Sequence, residues 1–298
     1  MWIFLNNRFV TREEAQISVF DHGFLYGDGV YETLKVYHGQ FLLLERHLTR
    51  LRHSCEQIEL VLPIAEEQWP SLLTELLQRN QLLDASIRIT ISRGEGELGL
   101  EPSLCSHPTV VVLAKPFVPY PAVLKTEGIR LELVGIRRNP LSAQSPRIKS
   151  LSFLNNILAK QEALRAGGFD ALMLNIAGEI SECTTSNLFF LLRGTLRTPS
   201  LACGILEGVT REIVKTVAQE EGIAVEEGHY KPAQLFQGEE CFITNTSMEI
   251  MPVRCIGNHS IGSICPGPIT TRLQELFTRH LERFLSTPPC LPDDCTTE

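Results

Sequence analysis

Two kinds of hydrophobic run alternate along the 298-residue chain and predict a mixed α/β (α+β) protein. Short runs of continuous apolar or β-branched residues are typical of strands buried on both faces, and they occur at Ile87–Ser92, Thr109–Ala114, Leu131–Ile136, Ala171–Ile176, Asn187–Leu192 and Cys241–Thr244. Longer runs with apolar residues every three or four positions predict helices at Glu45–Ile58, Glu66–Gln78, Leu154–Ala166, Thr210–Glu221 and Thr271–Phe284. The last helix opens with Thr271 and Gln274 in capping-box register, and the N-terminal MWIFLNNRFV predicts a first strand.

A proline-rich segment, KPFVPYPAV, separates two of the strand-like runs and predicts a domain boundary. We therefore expect a smaller N-terminal α/β domain over residues 1–118, a linker over 119–123 and a larger C-terminal domain over 124–286. Residues 287–298 are rich in proline and acidic residues and show no periodicity, so we predict a disordered tail.

The charge and the cysteine and histidine spacing exclude several classes of function. The formal net charge of −8 argues against a nucleic-acid-binding protein, which would carry a basic stripe. No apolar stretch reaches the length of a membrane span, and the N-terminus lacks the pattern of a signal peptide, so we expect a cytoplasmic protein. The nine cysteines form no CxxC and the eight histidines no HxH or HxxxH, so we predict neither a disulfide framework nor a metal site.

One lysine and one glutamate stand out as candidates for chemistry. Lys149 lies at the start of an apolar amphipathic run, where loss of hydration would lower its pKa and make its amine a nucleophile for an aldehyde. Glu182 precedes a Thr/Ser/Asn loop, and a carboxylate facing a pyridine nitrogen keeps that nitrogen protonated. Taken singly, each has an ordinary alternative, a snorkelling lysine and a solvated loop acid.

Two segments could bind a phosphate group. GVTREIVKTVA is a glycine-led turn into a helix, whose first free N–H groups, at Val209 and Thr210, favour an anion. ITNTSMEIMPV places Thr246 and Ser247 at the end of a strand, where hydroxyls and amides add to such a grip. Either segment alone is also explained by ordinary helix capping.

The combination of motifs resembles the class IV pyridoxal-phosphate-dependent aminotransferases, also called fold type IV. That group contains branched-chain aminotransferases, D-amino-acid aminotransferases and aminodeoxychorismate lyase. The resemblance covers nearly all of residues 1–285 and rests on these motifs, in the family's order: DHGFLYGDGVYETLKVY, HLTRL, SRGEGELGLEP, RIKSLSFLNNILAKQEA, GEISECTTSNLFF, EGVTREIV, TNTSMEIMPV and PGPITTRL.

The resemblance implies a role for several residues. Lys149 matches the lysine that forms a Schiff base with pyridoxal 5′-phosphate, and Glu182 matches the partner of its ring nitrogen. Arg50 matches the phosphate-binding arginine, although helical spacing alone predicts an exposed charge there. Val209, Thr210, Thr246 and Ser247 match the rest of the phosphate cup.

The resemblance also implies an overall organisation and a reaction. The family has two α/β domains with the cofactor in the interdomain cleft, and its members are usually at least homodimers. The implied reaction is a ping-pong transamination between an amino acid and a 2-oxo acid, with Lys149 as the general base that moves the α-proton.

The subfamily signals conflict about the substrate. SIRITISRGEGELGLEP and CPGPITTRL are most similar to branched-chain aminotransferases, with Arg88 on the substrate-side strand. YETLKVY is more similar to D-amino-acid enzymes, with Tyr31 and Lys35 on their active-site strand, but the Arg-x-His carboxylate trap of those enzymes falls on Leu98 and Leu100. An apolar loop here leaves room for an (R)-amine without a carboxylate.

Three alternatives stay open. Ile180–Phe190 also resembles aminodeoxychorismate lyase, which releases pyruvate by β-elimination with the same cofactor and lysine. Phe153 stands where the branched-chain group commonly has a tyrosine, and it is either a functional difference or a core aromatic residue. A non-catalytic binding module would be expected to have lost Lys149, Glu182 or Arg50, and all three are present.

Overall fold

The computed structural model describes residues 1–286, so the predicted disordered tail, residues 287–298, lies outside the described residues. The strands are β1 Trp2–Leu5, β2 Arg8–Thr11, β3 Gly29–Tyr37, β4 Gln40–Leu42, β5 Ala85–Ser92, β6 Thr109–Pro116, β7 Ile129–Arg137, β8 Asp170–Leu174, β9 Ile180–Cys183, β10 Asn187–Leu192, β11 Thr195–Pro199, β12 Val225–Gly228, β13 Glu240–Asn245, β14 Glu249–Ile256, β15 His259–Ser260 and β16 Leu285–Ser286. The α-helices are α1 His22–Tyr26, α2 Leu44–Gln57, α3 Trp69–Arg79, α4 Ala122–Glu127, α5 Leu154–Arg165, α6 Val209–Glu220, α7 Pro232–Leu235 and α8 Pro268–Arg279. This mixed composition confirms the predicted fold class.

The chain divides into two compact units, whose bounds differ from those of the predicted domains at three short segments, 119–123, 148–152 and 282–286. Among the described residues, the first unit contains 1–118, 148–152 and 282–286, and the second contains 119–147 and 153–281. The prediction placed 148–152 and 282–286 in the C-terminal domain. They belong to the first unit because Ser150 bridges Val30 of β3, and because β16 pairs with β4.

The first unit is built on a seven-stranded antiparallel sheet in the order β16-β4-β3-β5-β6-β1-β2. Helices α2 and α3 contribute to its core with an apolar stripe that includes Leu48, Leu51 and Leu73. MWIFLNNRFV forms the β1–β2 hairpin instead of the single predicted strand, because Asn6 adopts a φ of 59° and turns the chain.

The second unit contains a larger mixed sheet in the order β12-β11-β10-β13-β14-β7-β8-β9, with β15 added beside β14. Strands β8 and β10 are buried along their whole length, as the continuous apolar runs predict. β5 in the first unit instead alternates between buried and half-buried residues over most of its length, so only part of the predicted two-sided burial is found.

The last long helix begins earlier than predicted and is capped differently. α8 begins at Pro268, whose fixed φ suits the first helical position, and Thr271 bonds back to the Gly267 carbonyl oxygen instead of capping the helix. The cap comes from Glu240 of β13, whose carboxylate accepts from the Ile269 amide at 2.9 Å and the Thr270 amide at 2.7 Å. No helix among residues 1–286 is both long and apolar enough to cross a membrane.

Candidate active site

Lys149 lies in a segment that is fixed to the start of β3. Its carbonyl oxygen accepts from the Tyr31 amide at 2.9 Å, and its own amide donates to the Ser54 hydroxyl of α2 at 3.2 Å. The Leu151 amide donates to the Gly29 carbonyl oxygen at 2.9 Å. A Cβ on Gly29 would approach the Ile91 carbonyl oxygen to 2.5 Å, so only glycine allows the strands and this segment to come so close. The backbone of the lysine is therefore held from two elements.

The side chain of Lys149 meets an aromatic hydroxyl. Its Nζ lies 3.2 Å from the Tyr31 hydroxyl oxygen and 4.4 Å from the centre of the Tyr31 ring. The guanidinium of Arg88 lies 4.0 Å from the same ring centre, so the lysine amine and the arginine flank one tyrosine. Burial lowers the pKa of Arg88 from its ordinary value, and its interaction with Tyr31 opposes that shift. The structure thus brings together three of the sequence-predicted residues, Lys149, Tyr31 and Arg88.

Lys35 and Leu98, two further substrate-binding candidates, lie in different surroundings. Lys35 is buried four residues along β3 from Tyr31, and its Nζ lies 3.9 Å from the centre of the Phe117 ring and 4.6 Å from that of Tyr37. The four-residue spacing along a strand corresponds to about 13 Å. Leu98 is 68% exposed on the loop after β5.

Glu32 of β3 forms a buried cluster with residues of α2. It follows Tyr31 directly, and because successive side chains of a strand point to opposite faces, the two lie on opposite sides of the sheet. Glu32 accepts from Arg50 through Nε at 2.6 Å and Nη2 at 3.0 Å, and His47 Nδ1 lies 2.8 Å from its Oε2. The Arg50 side chain is only 11% exposed, so the expectation of an exposed helix charge is wrong. Its bidentate pairing with Glu32 fixes the plane of the guanidinium.

The pKa values of this cluster shift for identifiable reasons. Burial would raise the pKa of Glu32, but the charges and hydrogen bonds of Arg50 and His47 outweigh it and hold that pKa far below its usual range. Burial lowers the pKa of His47, and Glu32 only partly opposes that shift. The cluster is therefore a carboxylate, a guanidinium cation and a neutral imidazole at neutral pH.

In the second unit, Glu182 is buried on β9 and is held by donors from three parts of the chain. Its Oε1 accepts from Arg138 through Nε at 3.1 Å and Nη2 at 3.0 Å. Its Oε2 accepts from the Leu206 amide at 2.9 Å and from Asn187 Nδ2 at 3.3 Å. These donors favour the ionised form of the carboxylate and fix its orientation. The solvated loop acid, the ordinary alternative for Glu182, is thereby excluded, since the residue is only 4% exposed.

Asn187 connects the Glu182 carboxylate to the N-terminus of α6. Asn187 Nδ2 also donates to the Leu206 carbonyl oxygen at 2.9 Å, and its Oδ1 stands where a Cβ on Gly208 would be. Gly208 is the N-cap of α6, followed by Val209 and Thr210 in the first turn, both buried. The amides of a helix's first turn have no partner within the helix, so they suit a phosphate.

Thr246 and Ser247 lie in the tight turn between β13 and β14, both half-buried. The Ser247 amide donates to Asn245 Oδ1 at 3.0 Å and so stabilises the turn itself. Of the two amides predicted to bind the phosphate, that of Thr246 therefore remains the candidate. Antiparallel pairing sets Asn187 of β10 opposite Thr244 of β13, so this turn and the start of β10 lie at the same end of the two strands. In this unit, the residues predicted to bind the phosphate and the ring nitrogen are therefore connected through Asn187, at that end of the strands.

The donors of each unit, taken separately, fit one part of a phosphorylated pyridine aldehyde. Within the first unit, Lys149 offers a primary amine for an aldehyde. Within the second unit, Glu182 offers a buried, hydrogen-bonded carboxylate for a protonated ring nitrogen. The glycine-led N-terminus of a 12-residue helix supplies amides for a phosphate.

Four residues of these two networks were not identified from the sequence: Glu32, His47, Arg138 and Asn187. Two weak signals were available. Glu32 is the only acid in the strand GVYETLKVY, and His47 and Arg50 are three residues apart and therefore share a helix face. Arg138 directly follows β7, a position that gives no sign of its partner.

The chain is similar to known proteins over nearly its whole length. The model of the family described as "Amino-transferase class IV" matches residues 29–256. A putative branched-chain-amino-acid aminotransferase of Methanocaldococcus jannaschii is 40% identical, with 93% of this chain and 95% of that protein covered. The aminodeoxychorismate lyase of Bacillus subtilis is 32% identical, covering 95% of this chain and 96% of that protein.

Two further similarities concern a D-amino-acid enzyme and a solved structure. A D-alanine aminotransferase of Listeria monocytogenes is 31% identical, covering 94% of this chain and 96% of that protein. The crystal structure of a T.th. branched-chain amino acid aminotransferase with pyridoxamine 5′-phosphate has a TM-score of 0.92 at 29% identity, covering 97% of this chain and 98% of that one. The similarity therefore extends to all three groups that the sequence motifs resemble.

Proposed function

Because the chain belongs to the class IV aminotransferase family, we propose that it transfers the amino group of branched-chain or other apolar amino acids to a 2-oxo acid. The protein is a pyridoxal-phosphate-dependent aminotransferase. The observation that carries the proposed mechanism is the Lys149 amine, held 3.2 Å from the Tyr31 hydroxyl by a segment whose backbone is fixed to β3 and α2.

Pyridoxal 5′-phosphate, when bound, supplies a protonated ring that withdraws electrons from the α-carbon of the amino acid. In our proposal Lys149 would hold the cofactor through its Nζ until the amine of the substrate displaces it. The freed Nζ would then remove the α-proton as general base and return it on the cofactor side. Tyr31 orients that amine through its hydroxyl group. Two half-reactions of this kind, with different substrates, give the ping-pong scheme.

Glu182 and the phosphate-binding residues position the cofactor in this proposal. The Glu182 carboxylate, oriented by Arg138, holds the proton on the ring nitrogen. Val209 and Thr210 donate their amides to the phosphate at the N-terminus of α6, and Thr246 and Ser247 add their hydroxyls. Arg50 is the proposed cationic contact, and Glu32 sets the orientation of its guanidinium.

The proposed substrate class rests on the branched-chain relatives and on the loop after β5. Leu98 and Leu100 are 68% and 81% exposed, and they replace the charged residues that a D-amino-acid enzyme of the Arg-x-His type would use for the carboxylate. Arg88, whose guanidinium lies beside the Tyr31 ring, is the residue that we propose to contact the substrate.

The lyase reaction is the alternative that the Bacillus subtilis relative supports, since it would use the same lysine and cofactor. An assay of pyruvate release from aminodeoxychorismate without an amino acceptor separates the two reactions. Transamination requires the acceptor and gives two half-reactions, whereas the lyase needs none. A donor panel of L-leucine, L-valine, L-glutamate, D-alanine and (R)-1-phenylethylamine then identifies the substrate, and we expect L-leucine and L-valine to be the best donors.

The central test is Lys149→Ala compared with Lys115→Ala, a matched change at an exposed lysine of β6. Lys149→Ala should abolish transamination while the melting temperature stays near that of the parent, and Lys115→Ala should retain full activity. Borohydride reduction and peptide mapping of the parent should place the pyridoxyl group on Lys149. Full activity of Lys149→Ala, or an adduct on another residue, would contradict the proposal.

The cytoplasmic location and the homodimeric or larger assembly stay predictions from the sequence. Light scattering of the purified holoenzyme measures the assembly directly, and we expect a mass of at least twice 33.4 kDa. The role of Phe153 also stays a prediction; Phe153→Tyr, with turnover compared at saturating cofactor, distinguishes a functional position from a packing one.

A further inference from the structure

Three potential metal ligands converge in the second unit, on segments far apart in sequence. His229 Nδ1 lies 3.0 Å from Glu179 Oε2 and 3.6 Å from Cys203 Sγ. The three ligand atoms all lie within 4.8 Å of one another. Because Glu179, Cys203 and His229 are separated by 24 and 26 positions, no short motif announces them, and the sequence predicts no metal site.

The arrangement is not that of a proton relay. In a relay of a thiol, an imidazole and a carboxylate, the two partners use different ring nitrogens, so that the imidazole passes a proton across its ring. Here the thiol and the carboxylate both face Nδ1 of His229. Because the thiol and the carboxylate both face the same ring nitrogen, the sulfur, the oxygen and the nitrogen surround one common point.

Two of the three separations between the ligand atoms are close to those of a tetrahedral metal site. Zinc bonds of about 2.3 Å to sulfur and about 2.0–2.1 Å to nitrogen or oxygen, at tetrahedral angles, place sulfur and nitrogen about 3.6 Å apart and nitrogen and oxygen about 3.3 Å apart. The observed sulfur–nitrogen distance is 3.6 Å, and the nitrogen–oxygen distance of 3.0 Å requires only a small opening. The third separation, between Cys203 Sγ and the Glu179 carboxylate, is at most 4.8 Å, so the three ligand atoms lie close enough to close around one ion.

We propose that Glu179, Cys203 and His229 form a binding site for a divalent transition-metal ion, with zinc the best fit. One thiolate, one imidazole and one carboxylate are all zinc ligands, and the presence of sulfur disfavours magnesium and calcium. Three protein ligands leave a fourth position for water. The His229 side chain is 51% exposed, which gives the ion a path from solvent.

Neighbouring groups support the ligands in the orientation that an ion requires. Asn175 Nδ2 donates to Glu179 Oε2 at 2.9 Å and so fixes the orientation of the carboxylate. The Cys203 side chain is buried, and packing holds its sulfur in place.

The site lies directly before the two segments that hold Glu182. Glu179 is three residues before Glu182, and Cys203 is three residues before Leu206, whose amide donates to the Glu182 carboxylate at 2.9 Å. An ion bound to Glu179 and Cys203 would join these segments at their start. Its role is therefore structural: it stabilises the unit and the loop that presents the Leu206 amide, without contacting substrate.

The test measures zinc on the cofactor-loaded enzyme after treatment with a chelator and equilibrium dialysis against zinc chloride. We expect one zinc per chain in the parent, binding weakened roughly tenfold or more in Cys203→Ser and in His229→Gln, and unchanged binding in Cys255→Ser. Cys255, a half-buried free cysteine of β14, is the matched control for loss of a thiol. Each variant is first checked by melting temperature and retained cofactor absorbance, so that unfolded protein is not scored.

Two further readouts keep the proposal open to contradiction even where one variant is unstable. Cobalt in place of zinc should give a sulfur-to-metal charge-transfer band in the parent and in Glu179→Gln, and no such band in Cys203→Ser. Zinc should raise the melting temperature of the parent and of Cys255→Ser, and it should leave that of Cys203→Ser unchanged. Absence of stoichiometric zinc in the parent, or equal zinc binding by Cys203→Ser, overturns the proposal.

Discussion

Each unit buries one glutamate against one arginine, and the two pairs are built differently. Glu32 receives its donors from Arg50 and His47, which lie three residues apart on α2, so the pair joins one strand to one helix. Glu182 receives its donors from Arg138, Asn187 and Leu206, which come from three separate segments. The first arrangement ties α2 to β3 and fixes the Arg50 guanidinium, and the second aligns a carboxylate beside the segment that leads into α6. Two similar ion pairs should therefore fail in different ways.

The largest expected effect is the loss of stability in Glu32→Gln. Removing this charge takes from the largely buried Arg50 guanidinium the carboxylate that binds it through two hydrogen bonds, which costs about 3 kcal/mol or more of unfolding free energy. Urea denaturation of the cofactor-free protein measures the cost, and bound cofactor should restore part of it if Arg50 also contacts the phosphate. Glu66→Gln, which breaks an exposed pair with Arg52, should change stability by about 0.5 kcal/mol or less. Equal effects of the two changes would show that burial does not distinguish these pairs.

The same pair should make stability depend on pH, with a defined sign. The folded-state pKa of His47 is below its ordinary value of 6.5, and that of Glu32 is below its ordinary value of 4.5. The unfolded chain therefore binds more protons, so stability falls as pH drops below 6.5 and falls further below 4.5. The stability gap between the parent and Glu32→Gln should narrow below pH 4.5, and a constant gap down to acid unfolding would contradict the ionised pair.

The next effect is on catalysis, in Glu182→Gln. Glutamine keeps the shape and part of the hydrogen bonding but cannot hold a proton on the ring nitrogen by charge, so we expect turnover to fall about 10²–10³-fold at saturating cofactor. Stopped-flow measurement of one half-reaction isolates this step. Glu32→Gln, assayed in the same way, should lose less than about tenfold. A larger loss of turnover in Glu32→Gln than in Glu182→Gln would assign the role in the chemical step to Glu32 instead of Glu182.

The smallest effect is expected for Asn187→Ala, which removes one of the donors to Glu182. The loss of its hydrogen bonds to Glu182 and to the Leu206 carbonyl oxygen should cost about 1–2 kcal/mol, seen as roughly a tenfold loss of kcat/KM. A double-mutant cycle with Glu182→Gln should show coupling of at least about 0.5 kcal/mol, roughly the threshold for contacting residues. Strict additivity would mean that Asn187 acts on α6 alone.

Local pattern was sufficient for the main elements and insufficient for the networks. β10 was predicted with its observed bounds because a fully buried strand has a continuous apolar run, and α5 was predicted to within one residue. Glu32 and Arg50 are 18 residues apart, and Arg138 and Glu182 are 44 apart. No periodicity relates such positions, so their pairing follows only from the sheet order. The Glu240 cap on α8 was missed for the same reason, since it bridges about 30 residues.

The location of Lys149 in the first unit has a consequence for the order in which the protein forms during synthesis. Residues 1–118 leave the ribosome first, yet the strand edge at Gly29 and Tyr31 is covered only when residues 148–152 have been made. The edge at β4 waits longer still, until Leu285 and Ser286 pair with it. The sheet of the first unit is therefore completed last. A ribosome stalled after residues 148–152 but before Leu285 would expose the unpaired edge of β4 to chaperones.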